Sequence, residues 1–236
     1  MNGQAAVGIA RIGGILFLVS LIAGGFGEGF APSQLIAPTD AAATAHHIIA
    51  SDALFRFGFA SYLVEGCCNV ALAVVLFVLL RRLALLVAGL GALFQVMAAA
   101  VFAFAELFYF VPSLLLGGDA YLKSFSADQL NSLVLLSLNV YGLGGGMSIV
   151  FYGVGSICFG YLIFRSGYLP AWLGILVVVG GIGFALRTFA LILLPNLSTS
   201  FLQVPMIIAI VAMSGWLLVR GVDIAKWEQA PAAAGA

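Results

Sequence analysis

Charge is what this 236-residue chain has least of: 8% of its residues are Asp, Glu, Lys or Arg, against about a quarter in an ordinary soluble domain. With 64% hydrophobic residues, water cannot be the solvent for most of the chain. Nine basic residues offset nine acidic ones, so there is no basic face and no nucleic acid partner is expected. Histidine is nearly absent. His46 and His47 are adjacent and lie between apolar runs, which excludes a transmembrane haem or a membrane di-iron centre. Neighbours on a helix point about 100° apart, so the pair is a poor joint metal site. No lysine falls inside an apolar run, so a retinal Schiff base is excluded. Gly146-Met147-Ser148 lacks the second glycine and the base of an intramembrane serine protease, and there is no Walker loop. No nucleophile–base pair is visible, so an enzyme is the least favoured class, and no cofactor or metal is implied. The three cysteines, Cys67, Cys68 and Cys158, sit in apolar runs and read as small hydrophobes.

What is present is apolar length. Six runs, about 9–30, 54–80, 83–116, 130–164, 169–194 and 201–219, each match or exceed the ~20 residues that cross a bilayer. The fold class is therefore all-α: one integral membrane bundle of six transmembrane helices over residues 1–228, with a disordered cytoplasmic tail at 229–236. The first run continues past Gly25 to Phe30 with no clean small-residue cleavage site, so it reads as a retained helix rather than a signal peptide. A loop with Pro32 and Pro38 follows. Thr39 then caps a short helix, about Asp40 to Ala50, that is expected at the outer interface. Ser126 followed by Gln129 resembles a capping box opening the fourth span. The fifth span ends at Pro195, and Pro205 falls in the first turns of the sixth, where proline is tolerated. Arg11, Arg81, Arg82, Arg165, Arg220 and Lys226 collect at one end, so the positive-inside rule puts both termini in the cytoplasm.

Five ionisable residues sit within spans or at their edges: Glu28, Arg56, Glu65, Glu106 and Arg187. Each costs at least about 2.5 kcal/mol in hydrocarbon and needs a partner, water or an interface. Counting ~1.5 Å per residue, Glu28, Arg56, Glu106 and Arg187 fall at one outer level, as a charge-paired cluster. Glu65 lies near the midplane, where a lone carboxyl is protonated or handles a proton or cation. Asn69 and Cys68 share its helical face with Ser61 and Tyr62. Gln95 shares a face with Glu106, with Ala99 and Phe102 between. Ser137, Tyr141, Ser148 and Tyr152 form one face of span four, and Asn139 points elsewhere. Arg56 and Glu65 are nine residues apart, on opposite faces of one helix, and Glu65 is the one expected to point inward. The glycine pairs Gly142/Gly146 and Gly25/Gly29 read as close-packing positions.

The run Ala10-Arg11-Ile12-Gly13-Gly14-Ile15-Leu16-Phe17-Leu18, and Asp40-Ala41-Ala42-Ala43-Thr44-Ala45 followed by Leu54-Phe55-Arg56, resemble a bacterial membrane family known as domain of unknown function 4386. The resemblance covers about Gly8 to Lys226. It implies a multi-span protein of a bacterial inner membrane with no assigned activity, and it transfers no catalytic residue. The candidate binding residues are Glu65, Gln95, Glu106, Arg187, Glu28, Arg56 and Asn69. Two functions stay open. One is a binding or transport module in the lipid bilayer, with an outward cavity for a small amphipathic molecule or lipid headgroup. The other is a non-catalytic accessory or sensory subunit whose polar residues only fix helix register.

Overall fold

The computed structural model describes residues 1–194 and 199–230. Pro195 as the end of the fifth span, and the tail from residue 231, lie outside the described residues. Six helical stretches are long and apolar enough to cross a membrane: Gly3–Leu35, Asp52–Leu80, Leu85–Leu115, Ala127–Ser166, Ala171–Leu193 and Ser200–Val219. The protein is a polytopic, all-helical membrane protein. In chain order its elements are α1 (Gly3–Gly24), a π-helical segment (Gly25–Phe30), α2 (Ala31–Leu35), α3 (Ala41–Ala50), α4 (Asp52–Leu80), α5 (Leu85–Leu115), α6 (Ala127–Ser166), α7 (Ala171–Leu193), α8 (Val204–Val219) and α9 (Ile224–Gln229), with 3₁₀ turns at Ala120–Ser124 and Ser200–Gln203. Each span packs on the next, and α8 returns to α1. The bundle is a closed ring, and a ring of six leaves space at its axis.

The first span departs most from the sequence pattern. It begins at Gly3, where the Asn2 side chain accepts from the Ala5 N–H. Pro32 does not end it. Within a regular helix the missing N–H of a proline orphans a carbonyl and its ring strikes the preceding turn. Here the Ala31 N–H donates to the Phe26 carbonyl, five residues back, and that π register opens the helix just before the proline. The span then runs on to Leu35.

The cap of α3 is Asp40, not Thr39, and the helix begins at Ala41: the Asp40 carboxylate accepts from the Ala43 N–H at 2.8 Å. Thr44 Oγ1 donates back to the Ala37 and Asp40 carbonyls, which folds the Pro38 loop onto the helix. α6 is 40 residues long, about 60 Å, roughly twice the hydrocarbon thickness. It opens with a reciprocal capping box between Ser126 and Gln129. α3 packs on α6. Its Ile48 joins Phe55, Tyr62, Tyr109, Val134 and Tyr141 in a buried cluster that fills the end of the bundle remote from the termini.

α6 and α7 meet through small residues spaced by seven. A Cβ on Gly181 would sit 2.6 Å from the Gly153 carbonyl oxygen, and one on Gly174 would sit 2.6 Å from that of Gly160. One step further along, Thr188 Oγ1 donates to the Gly146 carbonyl at 2.8 Å. The expected pairs differ: a Cβ on Gly142, Gly25 or Gly29 would touch nothing within 4 Å.

At the other end, α9 docks through Trp227, which is 2% exposed. The Arg82 guanidinium lies 4.5 Å over the Trp227 ring and donates to the carbonyls of Trp227 and Ala230. Those carbonyls end a helix and have no intrahelical partner. Arg82, which the sequence offers only as an orienting charge, is thus a clasp. Beside it, burial pushes the Tyr168 phenol upward, so its hydroxyl stays a donor to the Leu79 carbonyl, 2.7 Å away.

Candidate functional site

The axis of the ring holds a cavity of about 490 Å³, drawn from all six spans. Its lining includes Glu28 from the π segment, Glu65 and Asn69 from α4, and Gln95 from α5, together with Phe17, Phe102 and Phe184. The deeper polar groups are tied down. Gln95 Nε2 donates to Ser156 Oγ at 3.1 Å and to the Tyr152 carbonyl at 3.3 Å, joining α5 to α6. Ser20 Oγ donates to Asn69 Oδ1 at 3.0 Å, which turns the Asn69 amide nitrogen toward Glu65, one turn away. Ser20 was not legible as a site residue, since a lone serine in an apolar run gives no signal by itself.

Glu65 is less well provided for. Its Oε2 is buried and without a hydrogen-bond partner among the described residues. The carboxyl lies against the α1 backbone, where a Cβ on Gly24 would come within 2.9 Å of Oε2. Glycine at 24 is what lets the carboxyl approach. Glu28 and Glu65 line the same cavity. Glu28 itself is exposed, because the π segment turns it to the open edge of the cavity.

The charge-paired outer cluster does not form. Among the described residues the ion pairs are Arg56–Asp52 and Lys226–Asp223, and neither involves Glu28, Glu106 or Arg187. Glu106 is 3% exposed and faces the Glu28 and Glu65 carboxyls, behind the cavity wall and not on it. Arg187 lies close enough to act on Glu28, yet its Nε is buried without a hydrogen-bond partner among the described residues. Arg56 stands apart, on the opposite face of α4. It holds Asp52 at 2.7 Å with both side chains more than half exposed. A pair of this kind is worth about 0.3–0.5 kcal/mol, so Arg56→Gln is expected to shift thermal unfolding in detergent by less than a degree or two and to leave the cavity unchanged.

Toward the far end, tyrosines close the α4–α5–α6 side. Tyr141 donates to Tyr62, and Tyr62 donates to the Gly27 carbonyl at 2.6 Å. Tyr109 packs edge-on against both, its ring centroid 5.1 and 5.2 Å from theirs. This plug of buried rings sits above Glu106, so the cavity does not run straight out past it. Of the expected site residues, Glu65, Asn69, Gln95 and Glu28 line one cavity; Glu106 and Arg187 stand close behind, and Arg56 is elsewhere.

No curated protein and no solved structure matches this chain. The model of a domain of unknown function, DUF4386, matches residues 12–221, most of the chain, and this protein belongs to that family.

Proposed function

We propose that this protein is a small binding or transport module whose axial cavity takes a small amphipathic molecule or a lipid headgroup from the bilayer. The observation that carries the reading is Glu65: a carboxyl with a buried oxygen that has no hydrogen-bond partner among the described residues, at the wall of a 490 Å³ cavity. Unpaired polar groups at membrane depth are expensive, and a volume of this size suits a small ligand. Aromatic walls facing a few convergent polar groups are the usual make-up of such a site. The basic residues Arg11, Arg81, Arg82, Arg165, Arg220 and Lys226 support cytoplasmic termini in a bacterial inner membrane, which alkaline phosphatase fusions at the loops would report.

The accessory-subunit reading draws on Gln95, whose amide is spent on joining α5 to α6. It predicts that Glu106→Gln and Arg187→Gln act only on stability. Against it stands the lack of any ion pair between those residues among the described ones.

The test is water access. Single cysteines replace Glu28, Glu65 and Glu106 in a background without Cys67, Cys68 and Cys158, and a charged thiol reagent is added. Glu28→Cys is expected to label fast, Glu65→Cys more slowly, and Glu106→Cys hardly at all, since it lies behind the wall. Protection of all three sinks the cavity reading. Glu65→Gln, inserted and folded, is expected to lose ligand or proton coupling.

A further inference from the structure

The chemistry of the ligand follows from an imbalance of charge, provided the cavity is a binding site as proposed above. Glu28 and Glu65 share the wall of one cavity whose lining holds no Lys or Arg, and Glu65 Oε2 is buried without a partner among the described residues. Among the described residues, the cation that faces them is Arg187. It offsets one negative charge at most, and it is not part of the cavity wall. An ionised carboxyl only accepts hydrogen bonds. Two carboxyls on one cavity wall without a base are therefore complete only with a proton or another cation beside them. Glu106, 3% exposed, adds a third carboxyl behind the wall. An anion entering this space meets two acids on the wall and a third behind it. A zwitterion finds no base on the wall for its acidic half.

We infer that the cavity takes a lipophilic organic cation, which takes the place of a proton at the Glu28 and Glu65 carboxyls. The apolar part of the lining fits such a ligand. Phe17, Phe102 and Phe184 give it apolar area and aromatic faces, and a cation is drawn to the face of an aromatic ring. The entry fits too. Gly25, Glu28 and Gly29 are exposed, and a Cβ on either glycine would touch nothing within 4 Å. The π segment packs on α4, and Ile207 of α8, which also lines the cavity, is half exposed. A lipophilic cation in the bilayer meets this edge first. In the exchange no covalent bond to carbon changes: the carboxyl pair releases its proton to solvent, and the cation takes its place. The titratable groups facing the pair are Glu106 from α5, Arg187 from α7, Tyr62 and Cys68 from α4, and Tyr141 and Tyr152 from α6. The tyrosines and the cysteine are neutral donors here, so the carboxyls set the response. Deprotonation creates the binding form, and affinity for the cation rises as pH rises.

The probes are tetraphenylphosphonium and tetraphenylborate, nearly identical in shape and opposite in charge, added to the purified protein in a neutral detergent. Equilibrium dialysis reads binding, and a pH indicator in weak buffer reads protons. The expected result is phosphonium binding with a proton released for each cation bound, tighter at higher pH, and no binding of the borate. Glu65→Gln is expected to weaken phosphonium binding by about tenfold or more and to abolish proton release. Glu28→Gln, which alters an exposed side chain, gives the same answer if Glu65→Gln folds poorly. Equal binding of both probes, or phosphonium binding without proton release, overturns the cation inference and leaves the cavity reading standing. Binding of neither probe overturns the inference as well, and labelling of Glu28→Cys then decides the cavity reading on its own.

Discussion

Gly174→Leu is expected to destabilise the bundle by about 4 kcal/mol, enough to leave little folded protein in detergent. The side chain would enter a space already filled by backbone. Even a Cβ at 174 lies 2.6 Å from the Gly160 carbonyl oxygen and 2.5 Å from the Phe164 nitrogen. Neither atom can move without unwinding α6, so the two helices must separate. Separation breaks the Thr188 to Gly146 hydrogen bond and loosens α7 against its other neighbour, α8, where a Cβ on Gly180 would lie 2.7 Å from the Met206 Cα. In a membrane no hydrophobic force between helices makes up for lost contact, since lipid is as apolar as the side chains. Gly181→Leu is expected to act similarly. Gly142→Leu, on the same α6 but with open space around it, is the control and is expected to stay within about 0.5 kcal/mol. Unfolding by a denaturing detergent, followed by circular dichroism, reads all three. Equal effects at 142 and 174 would mean that the α6–α7 contact does not hold the ring together.

That contact shows what the sequence made visible and what it did not. The six spans are legible because hydrocarbon demands long apolar runs, and nothing else in a chain this short of charge competes with that signal. Their ends are less so. The first span begins at Gly3 because Gly3, Ala6 and Ala10 are buried, with α9 packed alongside, and residue type alone does not announce a docking partner more than 200 residues away. Glycines four apart drew the eye, yet the structure uses a spacing of seven: Gly146, Gly153 and Gly160 against Thr188, Gly181 and Gly174. Four-residue spacing suits a right-handed pair, whereas seven suits antiparallel helices crossing at a shallow left-handed angle. The polar wall was half legible. Helical periodicity put Glu65 with Asn69, and it set Arg56 on the other face. It could not say that Glu106 lies behind the wall or that Glu28 turns to the open edge. Those depend on the distance between helices and on the π register, which only the meeting of a Gly-rich turn with Pro32 produces.

Tyr62→Phe is expected to cost about 3 kcal/mol although it removes a single oxygen. The reason lies in the first span. The Ala31 N–H is committed to the Phe26 carbonyl, and Pro32, next in line, has no N–H to give. The Gly27 carbonyl is therefore left without a helical partner, in a segment surrounded by apolar side chains and lipid. The Tyr62 hydroxyl supplies the missing donor at 2.6 Å and itself accepts from Tyr141. Phenylalanine keeps the ring and its packing but orphans both the carbonyl and the Tyr141 hydroxyl. A buried, unsatisfied group costs about 1–3 kcal/mol, and two are created. The account can be separated from a simple loss of fit by a second change. Pro32→Ala restores an N–H where the helix lacks one, so the Gly27 carbonyl gains a donor from its own chain, or the segment relaxes to α register and no longer needs one. In the Pro32→Ala background Tyr62→Phe is then expected to cost about 1–2 kcal/mol less. Thermal unfolding of the four proteins of that cycle measures the coupling. A coupling of zero would mean that Tyr62 stabilises the bundle through its ring alone, and that the π segment holds its register without help from α4.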